Sequence, residues 1–183
     1  MLKVIHAKRQ DKPALAETLR ELLKYKRTKD NFAALVKAVG EKERATLLAE
    51  QVAEVSKTKG VSYKNIEFLT DIGAVDAAEN LLWQRLSMLP AHSSWGNEPL
   101  RLAKLMESKK RALIATAIYR KMIDDVLTAA KSKDYPTAIL CMKALGQLAP
   151  TIKNWQSLDT HATFVEKLRA KFPKRPSFWS SIK

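Results

Sequence analysis

Glycine, proline and cysteine are scarce in this chain, and each scarcity excludes a class of structure. Five glycines and seven prolines among 183 residues are too few for a β-sandwich or a disordered linker. The single cysteine, Cys141, cannot form an internal disulfide, so nothing indicates an oxidising compartment. Because Cys141 lies among Ile139, Leu140 and Met142, we predict a small buried hydrophobe rather than a reactive thiol. These absences predict a cytoplasmic protein.

Long apolar runs are also missing. No stretch approaches the ~20 apolar residues that a membrane-spanning helix needs, and the first residues, MLKVIHAKRQDKP, lack the apolar core of a signal peptide. Hydrophobic residues make up 46% of the chain, and a domain of this length buries roughly 70% of its unfolded surface. We therefore expect a folded core and no membrane association.

Residue patterns that support catalysis or cofactor binding are absent. The chain has no H-E-x-x-H, no glycine-rich phosphate loop and no G-x-S-x-G elbow, and its histidines, His6, His92 and His161, are far apart. Only Asp159 and His161, with Trp155, approach a reactive cluster. Asp159 precedes a predicted helix, where a carboxylate is expected to cap the helix or favour its dipole. We predict no catalytic, cofactor-binding or metal-binding residues, and no enzymatic activity.

The residues that are abundant favour helices. Alanine, leucine, lysine and glutamate dominate and are strong helix formers, whereas β-branched and aromatic residues never alternate as they do in strands. Gly40, Gly60 and Gly73 each follow an apolar helical pattern, at positions typical of helix C-caps. The sequence therefore predicts an all-α protein built as an array of antiparallel helical hairpins, an α-solenoid of TPR/HEAT type.

Two stretches of equal length resemble each other: GAVDAAENLLWQRLSMLP at 73–90 and KDYPTAILCMKALGQLAP at 133–150. Matching small and apolar residues occur at their sixth and tenth positions, namely Ala78 and Ala138, then Leu82 and Met142. Repetition of this kind is typical of stacked helical hairpins. Both stretches resemble the second helix of a tetratricopeptide repeat, although Arg85 and Leu145 replace its small residue. The array is therefore TPR-like, and a standard TPR peptide groove is not expected.

The whole chain, 1–183, is predicted to be a single helical-repeat domain. Within it we expect less regular N-terminal helices at 1–60, TPR-like pairs at 61–172 and a capping tail at 173–183. The tail contains Phe178 and Trp179, which we expect to cover the apolar flank of the last helix, because terminal repeats need such a cover. The alternative is an aromatic pair displayed to a partner.

From about residue 99 the chain resembles a known group of proteins. The residues that carry the resemblance are LRLAKLMESKKRALIATAIYR, SKDYPTAI, LAPTIKNW, His161 and KRPSFW. They are similar to a family of uncharacterised bacterial α-helical repeat proteins and to the helical tails of SWIM zinc-finger proteins. The resemblance implies a bacterial helical-repeat protein. It does not imply zinc, because one cysteine cannot supply the SWIM ligands.

Positive charge is concentrated in the second half. The chain carries a net charge of +14, and residues 98–183 hold 17 lysines and arginines against 7 acidic residues, a net +10. Such an excess favours an anionic partner. Lys109, Arg120 and Lys131 are spaced by eleven residues, three helical turns, and would form one stripe on a continuous helix. The candidate binding residues are Lys109, Lys110, Arg120, Lys121, Lys131, Lys133, Lys174 and Arg175.

Two functions are consistent with this charge. The leading interpretation is a non-enzymatic interaction or scaffold module that binds an acidic protein partner through the basic half. The alternative is sequence-independent binding of nucleic acid, in which rows of lysine and arginine neutralise phosphates without reading bases. No recognised nucleic-acid-binding motif is present.

Overall fold

The structure is a computed structural model, and it describes residues 12–89 and 97–182. Helices and connecting turns make up these residues, and no strand occurs among them. The chain divides into two compact units, Met1–Leu81 and Leu82–Lys183, and the division falls inside a helix. The sequence had predicted a change of character near residue 60. The all-helical expectation is confirmed.

The first unit contains four complete helices among its described residues, and a fifth helix begins there. Their bounds are α1 Lys12–Tyr25, α2 Lys29–Val39, α3 Arg44–Ser56, α4 Tyr63–Asp71 and α5 Val75–Gln84. A short 3₁₀ turn, Glu41–Glu43, precedes α3. Asp11, followed by Pro13, predicts that the first helix starts at Asp11, a position outside the described residues.

Local sequence explains where these helices begin and end. The sequence predicts Asp30 or Asn31 as the cap of α2. The hydroxyl of Thr28 caps it instead, by accepting a hydrogen bond from the backbone N–H of Asn31 at 3.3 Å. After α2 the backbone has a positive φ of 108° at Gly40, a conformation that glycine adopts without strain. The predicted stop at Gly40 is confirmed.

The core of the first unit forms where α1 packs against α2. Leu19 and Leu35 are fully buried there. Phe32 of α2 meets Phe68 of α4 edge to face, with ring centres 6.5 Å apart, a geometry that aromatic pairs favour. The apolar periodicity of each helix thus faces the inside of this unit.

The second unit holds the end of α5 and five further α-helices among its described residues. These are α6 Glu98–Ser108, α7 Ala112–Ala129, α8 Tyr135–Leu148, α9 His161–Lys171 and α10 Pro176–Trp179. Short 3₁₀ turns occur at Leu86–Met88, Ser132–Asp134 and Ala149–Thr151. The stretch PAHSSWGNE, which begins at Pro90, predicts a loop, and its residues up to Gly96 lie outside the described residues.

Helix α7 is the centre of the second unit. It packs against both α6 and α8, and 11 of its 18 residues are buried. This burial agrees with its sequence, in which apolar residues cover more than half of the circumference. Helices α6 and α8 therefore each pack one face against α7.

The two similar stretches form comparable helices. Ala78, Leu82 and Ala138 are completely buried, and Met142 is 4% exposed. Both helices, α5 and α8, are followed by a 3₁₀ turn near their C-terminal ends. The matching positions therefore serve the same purpose, which is to bury one face of each helix.

The C-terminal aromatic pair lies against the second unit. Phe178 is completely buried and meets the ring of Tyr135 edge to face at 6.0 Å. The indole N–H of Trp179 donates to the carbonyl of Phe172 at 2.8 Å, and the guanidinium of Arg169 lies 4.7 Å from the Trp179 ring. The segment PSFW, within the predicted capping tail at 173–183, forms the short helix α10.

Candidate binding surfaces of the second unit

The predicted stripe of Lys109, Arg120 and Lys131 does not form. It needs one continuous helix through all three residues, but α7 extends only from Ala112 to Ala129. Positive φ angles of 59° at Lys110 and 56° at Ala130 lie in the connections at its two ends. Helical spacing therefore does not apply beyond α7, and Lys109 and Lys131 belong to connecting segments.

Arg120 does not contribute to a surface charge either, because it is only 8% exposed. Its guanidinium lies 4.4 Å from the centre of the Phe164 ring and 5.2 Å from that of Trp155. The Nε and Nη2 atoms are buried without a hydrogen-bond partner among the described residues. Burial lowers the pKa of Arg120. Its selection as a partner-binding residue is therefore corrected, and it is an interior cation held between two rings.

The remaining predicted binding residues fall into two groups: those that are partly buried or bonded within the chain, and exposed lysines without a salt bridge among the described residues. Lys121 forms an ion pair with Asp125 at 2.7 Å. Arg175 donates to the carbonyls of Leu127 and Lys174, and Lys109 is half-buried. Four predicted residues are exposed and form no salt bridge among the described residues: Lys110, Lys131, Lys133 and Lys174.

Several acidic residues of this unit already form ion pairs with lysines. The lysines that remain give its surface an excess of positive charge. Asp124 pairs with Lys171 at 2.6 Å, and Asp159 pairs with Lys167 at 2.8 Å. Among the residues that the structure describes here, seven lysines are exposed and form no salt bridge: Lys104, Lys110, Lys131, Lys133, Lys143, Lys153 and Lys174. These lysines are the part of the net charge that is available to a partner.

Two of these seven lysines lie at a groove between α6 and α8. The groove has a volume of about 400 Å³ and is lined by residues of α6, α7 and α8. Lys104 of α6 and Lys143 of α8 contribute its positive charges. Its apolar lining comes from Pro136, Ile139, Leu140 and Ala144. We call this feature the α6–α8 groove.

Leu140 gives the α6–α8 groove an unusual exposed apolar surface. It is 43% exposed, and the only other exposed large hydrophobic residues in the described part of the chain are Tyr25 and Met88. On α8 it lies one turn after Pro136 and one turn before Ala144, so these three residues share one helical face. The groove therefore combines an accessible aliphatic surface with two unpaired cations.

The wall of the groove is fixed by a hydrogen bond between α6 and α7. The hydroxyl of Tyr119 donates to Oε2 of Glu107 at 3.0 Å, and Tyr119 is only 1% exposed. Burial, followed by this hydrogen bond, raises the pKa of Tyr119. The bond occupies one oxygen of Glu107, which is the only carboxylate among the described residues that line the groove.

Asp159, His161 and Trp155 lie near the buried Arg120. Both oxygens of Asp159 accept from Lys167, at 2.8 and 2.9 Å, and the cap of α9 is Thr160, whose hydroxyl accepts from the N–H of Thr163. The expected capping role of Asp159 is therefore corrected. Burial, and then the charge of Arg120, lower the pKa of His161.

Cys141 is completely buried, as its apolar neighbours predicted. Burial raises the pKa of its thiol to about 12, and so the reactive thiolate is scarce at neutral pH. Among the residues that the structure describes, no three histidine, cysteine or acidic side chains come together as metal ligands. Within the same residues, no helix has the length and apolar character that crossing a bilayer requires.

Sequence analysis missed the α6–α8 groove, although part of its signal was present. Pro136, Leu140, Lys143 and Gln147 follow the spacing of one helical face, and that face mixes apolar and basic residues. Lys104 lies on another helix, and its position opposite Lys143 depends on how α6 and α8 pack on α7. That packing could not be derived from spacing alone.

Comparison with known proteins gives a family but no function. The sequence pattern of a family described as being of unknown function matches residues 47–181. No curated protein matches the chain, and no solved structure does.

Proposed function

This chain belongs to DUF6880, a family of unknown function, and from its own residues we propose that it is a non-enzymatic protein-interaction module. Its α6–α8 groove binds an acidic segment of a partner protein that carries one bulky apolar side chain. The observation that carries the proposal is an exposed leucine, Leu140, between two lysines without salt bridges, Lys104 and Lys143.

The charge of the groove supports an acidic partner. Lys104 and Lys143 outnumber Glu107, which already accepts a hydrogen bond from Tyr119. Five further unpaired lysines in the same unit extend the positive field beyond the groove. A field of this kind accelerates association with an acidic surface and fixes its orientation more than it adds affinity.

The apolar surface of the groove supplies affinity and selects the partner. Fully burying a leucine side chain gives roughly 1.5–3 kcal/mol, and Leu140 keeps 43% of its surface exposed in the free protein. Burying this exposed part of Leu140 against a partner should therefore contribute about 1 kcal/mol to the binding free energy. Ile139 and Pro136 would add to this contribution. An acidic segment without an apolar side chain would leave this contribution unused.

The groove lies on a scaffold that we propose to be an array of antiparallel helical hairpins of TPR-like character. Three residues connect α6 to α7 and five connect α7 to α8, lengths that favour antiparallel neighbours. The similarity to helical tails of SWIM zinc-finger proteins supports the same architecture.

A nucleic-acid partner fits the α6–α8 groove less well. Binding of unpaired bases uses accessible aromatic rings for stacking, and the ring that lines this groove, Tyr119, is 1% exposed. The remaining lining is aliphatic or charged, apart from the amide of Gln147. The groove therefore favours a protein segment, and nucleic acid is the competing outcome of the experiment below.

The experiment is selection of random dodecapeptides displayed on phage against the immobilised protein. We expect enriched peptides to contain several aspartates or glutamates around one leucine, isoleucine or phenylalanine. A fluorescent form of the most enriched peptide is then titrated with three variants, Leu140→Ser, Lys143→Glu and Lys133→Glu. Lys133 is the matched control because it is an exposed lysine without a salt bridge that does not line the groove.

The proposal expects Leu140→Ser and Lys143→Glu to weaken peptide binding by about tenfold each, equivalent to ~1.4 kcal/mol. Lys133→Glu should change affinity by less than about threefold, because a charge outside the groove acts through the screened field. Enriched peptides without acidic residues, or no enrichment, would contradict the proposal. Equal binding by the Leu140→Ser variant would place the interaction elsewhere.

A further inference from the structure

A second candidate site lies in the first unit, where sequence analysis predicted none. A cleft of about 510 Å³ opens between the α1–α2 connection and the beginning of α4. Four of its lining residues are basic: Lys26, Arg27, Lys29 and Lys64. We call this feature the α1–α4 cleft, and it shares no residue with the α6–α8 groove.

The basic residues of the cleft are not neutralised within the chain. Lys26, Lys29 and Lys64 are exposed and form no salt bridge among the described residues. Two carboxylates, Glu67 and Asp71, also line the cleft, which leaves an excess of two positive charges. The cleft therefore has unmet capacity for an anion.

Arg27 adds a guanidinium to the same cleft. Its Nη1 atom donates to Oδ1 of Asn65 over a long 3.4 Å, while its Nε atom is buried without a partner among the described residues. Guanidinium groups bind oxyanions through such donors, and each buried donor without a partner costs stability.

Two of the lysines occupy positions that the helices themselves disfavour. Lys29 is the first residue of α2, and Lys64 is the second residue of α4. The N-terminal end of a helix carries a partial positive charge, so a cation there is unfavourable. A phosphate bound between Lys29 and Lys64 would reverse this penalty, because both the helices and the lysines attract it.

An exposed aromatic ring completes the cleft. Tyr25, the last residue of α1, lines it and is 87% exposed, the largest exposure among the large hydrophobic residues that the structure describes. Aromatic rings beside basic side chains are the recurring arrangement in sites for single-stranded nucleic acid, where bases stack and cations follow the backbone.

We propose that the α1–α4 cleft binds single-stranded nucleic acid. One base stacks on Tyr25, and neighbouring phosphates contact Lys26, Lys29 and Lys64. A single strand is required because a base must be unpaired to stack on an exposed ring. The binding is independent of sequence, since stacking accepts any base and phosphate contacts carry no sequence information. This site is additional to the protein-binding function proposed above and does not depend on it.

The test is fluorescence anisotropy with a fluorescein-labelled oligothymidylate of about twelve nucleotides, a length within the range of known single-strand sites. Three phosphate contacts predict that the logarithm of the association constant falls against the logarithm of salt concentration with a slope of about −2. Lys29→Ala and Lys64→Ala should each reduce the steepness of this slope by about 0.7. The matched control is Lys42→Ala, which removes an exposed lysine without a salt bridge that does not line the cleft.

The Tyr25 variants test stacking separately from charge. Tyr25→Ala should weaken binding by about tenfold, within the range measured for loss of one stacked base, and leave the salt slope unchanged. Tyr25→Phe keeps the ring and should bind within about twofold of the natural protein. Because Tyr25 is highly exposed, neither change should disturb folding, and the melting temperature checks this.

Several outcomes would overturn the proposal. Among them are no binding at about 50 mM salt, and Tyr25→Ala or Lys29→Ala behaving like Lys42→Ala. Competition by inorganic phosphate, a phosphopeptide or duplex DNA as effective as competition by the single strand would show an anion site without base stacking, which contradicts the assignment. Leu140→Ser should bind the oligonucleotide normally, so failure of this proposal is distinguishable from failure of the protein-binding proposal.

Discussion

The guanidinium of Arg120 lies 4.4 Å from the centre of the Phe164 ring, inside the second unit. This contact connects the central helix α7 to α9, and Trp155 contacts the same guanidinium at 5.2 Å. The favourable contacts with two rings are opposed by two buried donors, Nε and Nη2, that have no partner among the described residues. Arg120 therefore fills space between helices, and its charge adds little to stability.

The first prediction compares two replacements of Arg120. A cation–π contact gives about 0.5–2 kcal/mol, and an unsatisfied buried donor costs about 1–3 kcal/mol, so these contributions nearly cancel. Arg120→Met keeps most of the volume and should change the free energy of unfolding by no more than about 1 kcal/mol. Arg120→Ala leaves a cavity and should cost about 2–4 kcal/mol. Urea unfolding measures both, and equal losses in the two variants would show that the charge itself stabilises the fold.

The second prediction concerns pH and His161. Burial and the nearby charge of Arg120 lower the pKa of His161 below its ordinary value of 6.5, so the unfolded chain binds a proton more readily than the folded one. Stability should therefore be fully present above pH 6.5 and fall as pH decreases from 6.5 through the lower folded pKa. His161→Asn should flatten this part of the profile. A histidine pKa at or above 6.5 in an NMR titration would contradict the account.

The third prediction concerns the thiol of Cys141. Because burial raises its pKa to about 12, thiol reagents at neutral pH should modify the folded protein far more slowly than the unfolded chain. Cys141→Ser places a hydroxyl in the apolar interior and should cost about 1–2 kcal/mol, with little effect on peptide affinity. Labelling of the native protein as fast as of unfolded protein would show that the side chain is accessible.

The fourth prediction ranks the two aromatic residues of α10. Phe178 is completely buried, so Phe178→Ala should cost about 3–5 kcal/mol. Trp179 is half-buried and keeps a hydrogen bond to Phe172, so Trp179→Ala should cost less, about 2 kcal/mol. Deleting residues 176–183 should cost at least as much as Phe178→Ala. A truncated protein that melts like the full chain and loses peptide binding would indicate that the pair serves a partner instead.

Much of the helical structure could be predicted from local sequence. Glycine at 40 and 73 has a positive φ in the structure, and a helix end is the place where such a residue is expected. In the sequence of α7, apolar residues cover more than half of the circumference, a pattern that predicts packing on two sides. Helix ends and buried helix faces could be predicted because capping and apolar periodicity depend on residues only a few positions apart.

The candidate sites could be predicted only in part. Arg120 has the same sequence signal as an exposed arginine, and its burial depends on Trp155 and Phe164, which are distant in sequence. The cap of α9 is Thr160 and not its neighbour Asp159, whose carboxylate pairs with Lys167. The α6–α8 groove likewise depends on packing between helices, for which spacing along one helix carries no information.

The central claim is that the α6–α8 groove binds an acidic peptide with one apolar side chain, and NMR mapping tests it most directly. The ¹⁵N-labelled protein is titrated with the selected peptide and with a control in which serine replaces the apolar residue. The account predicts that the largest shift changes of the backbone amides occur at Lys104, Ile139, Leu140 and Lys143, and that the control peptide shifts them weakly. Changes centred on other residues, or equal changes with the control peptide, would contradict it.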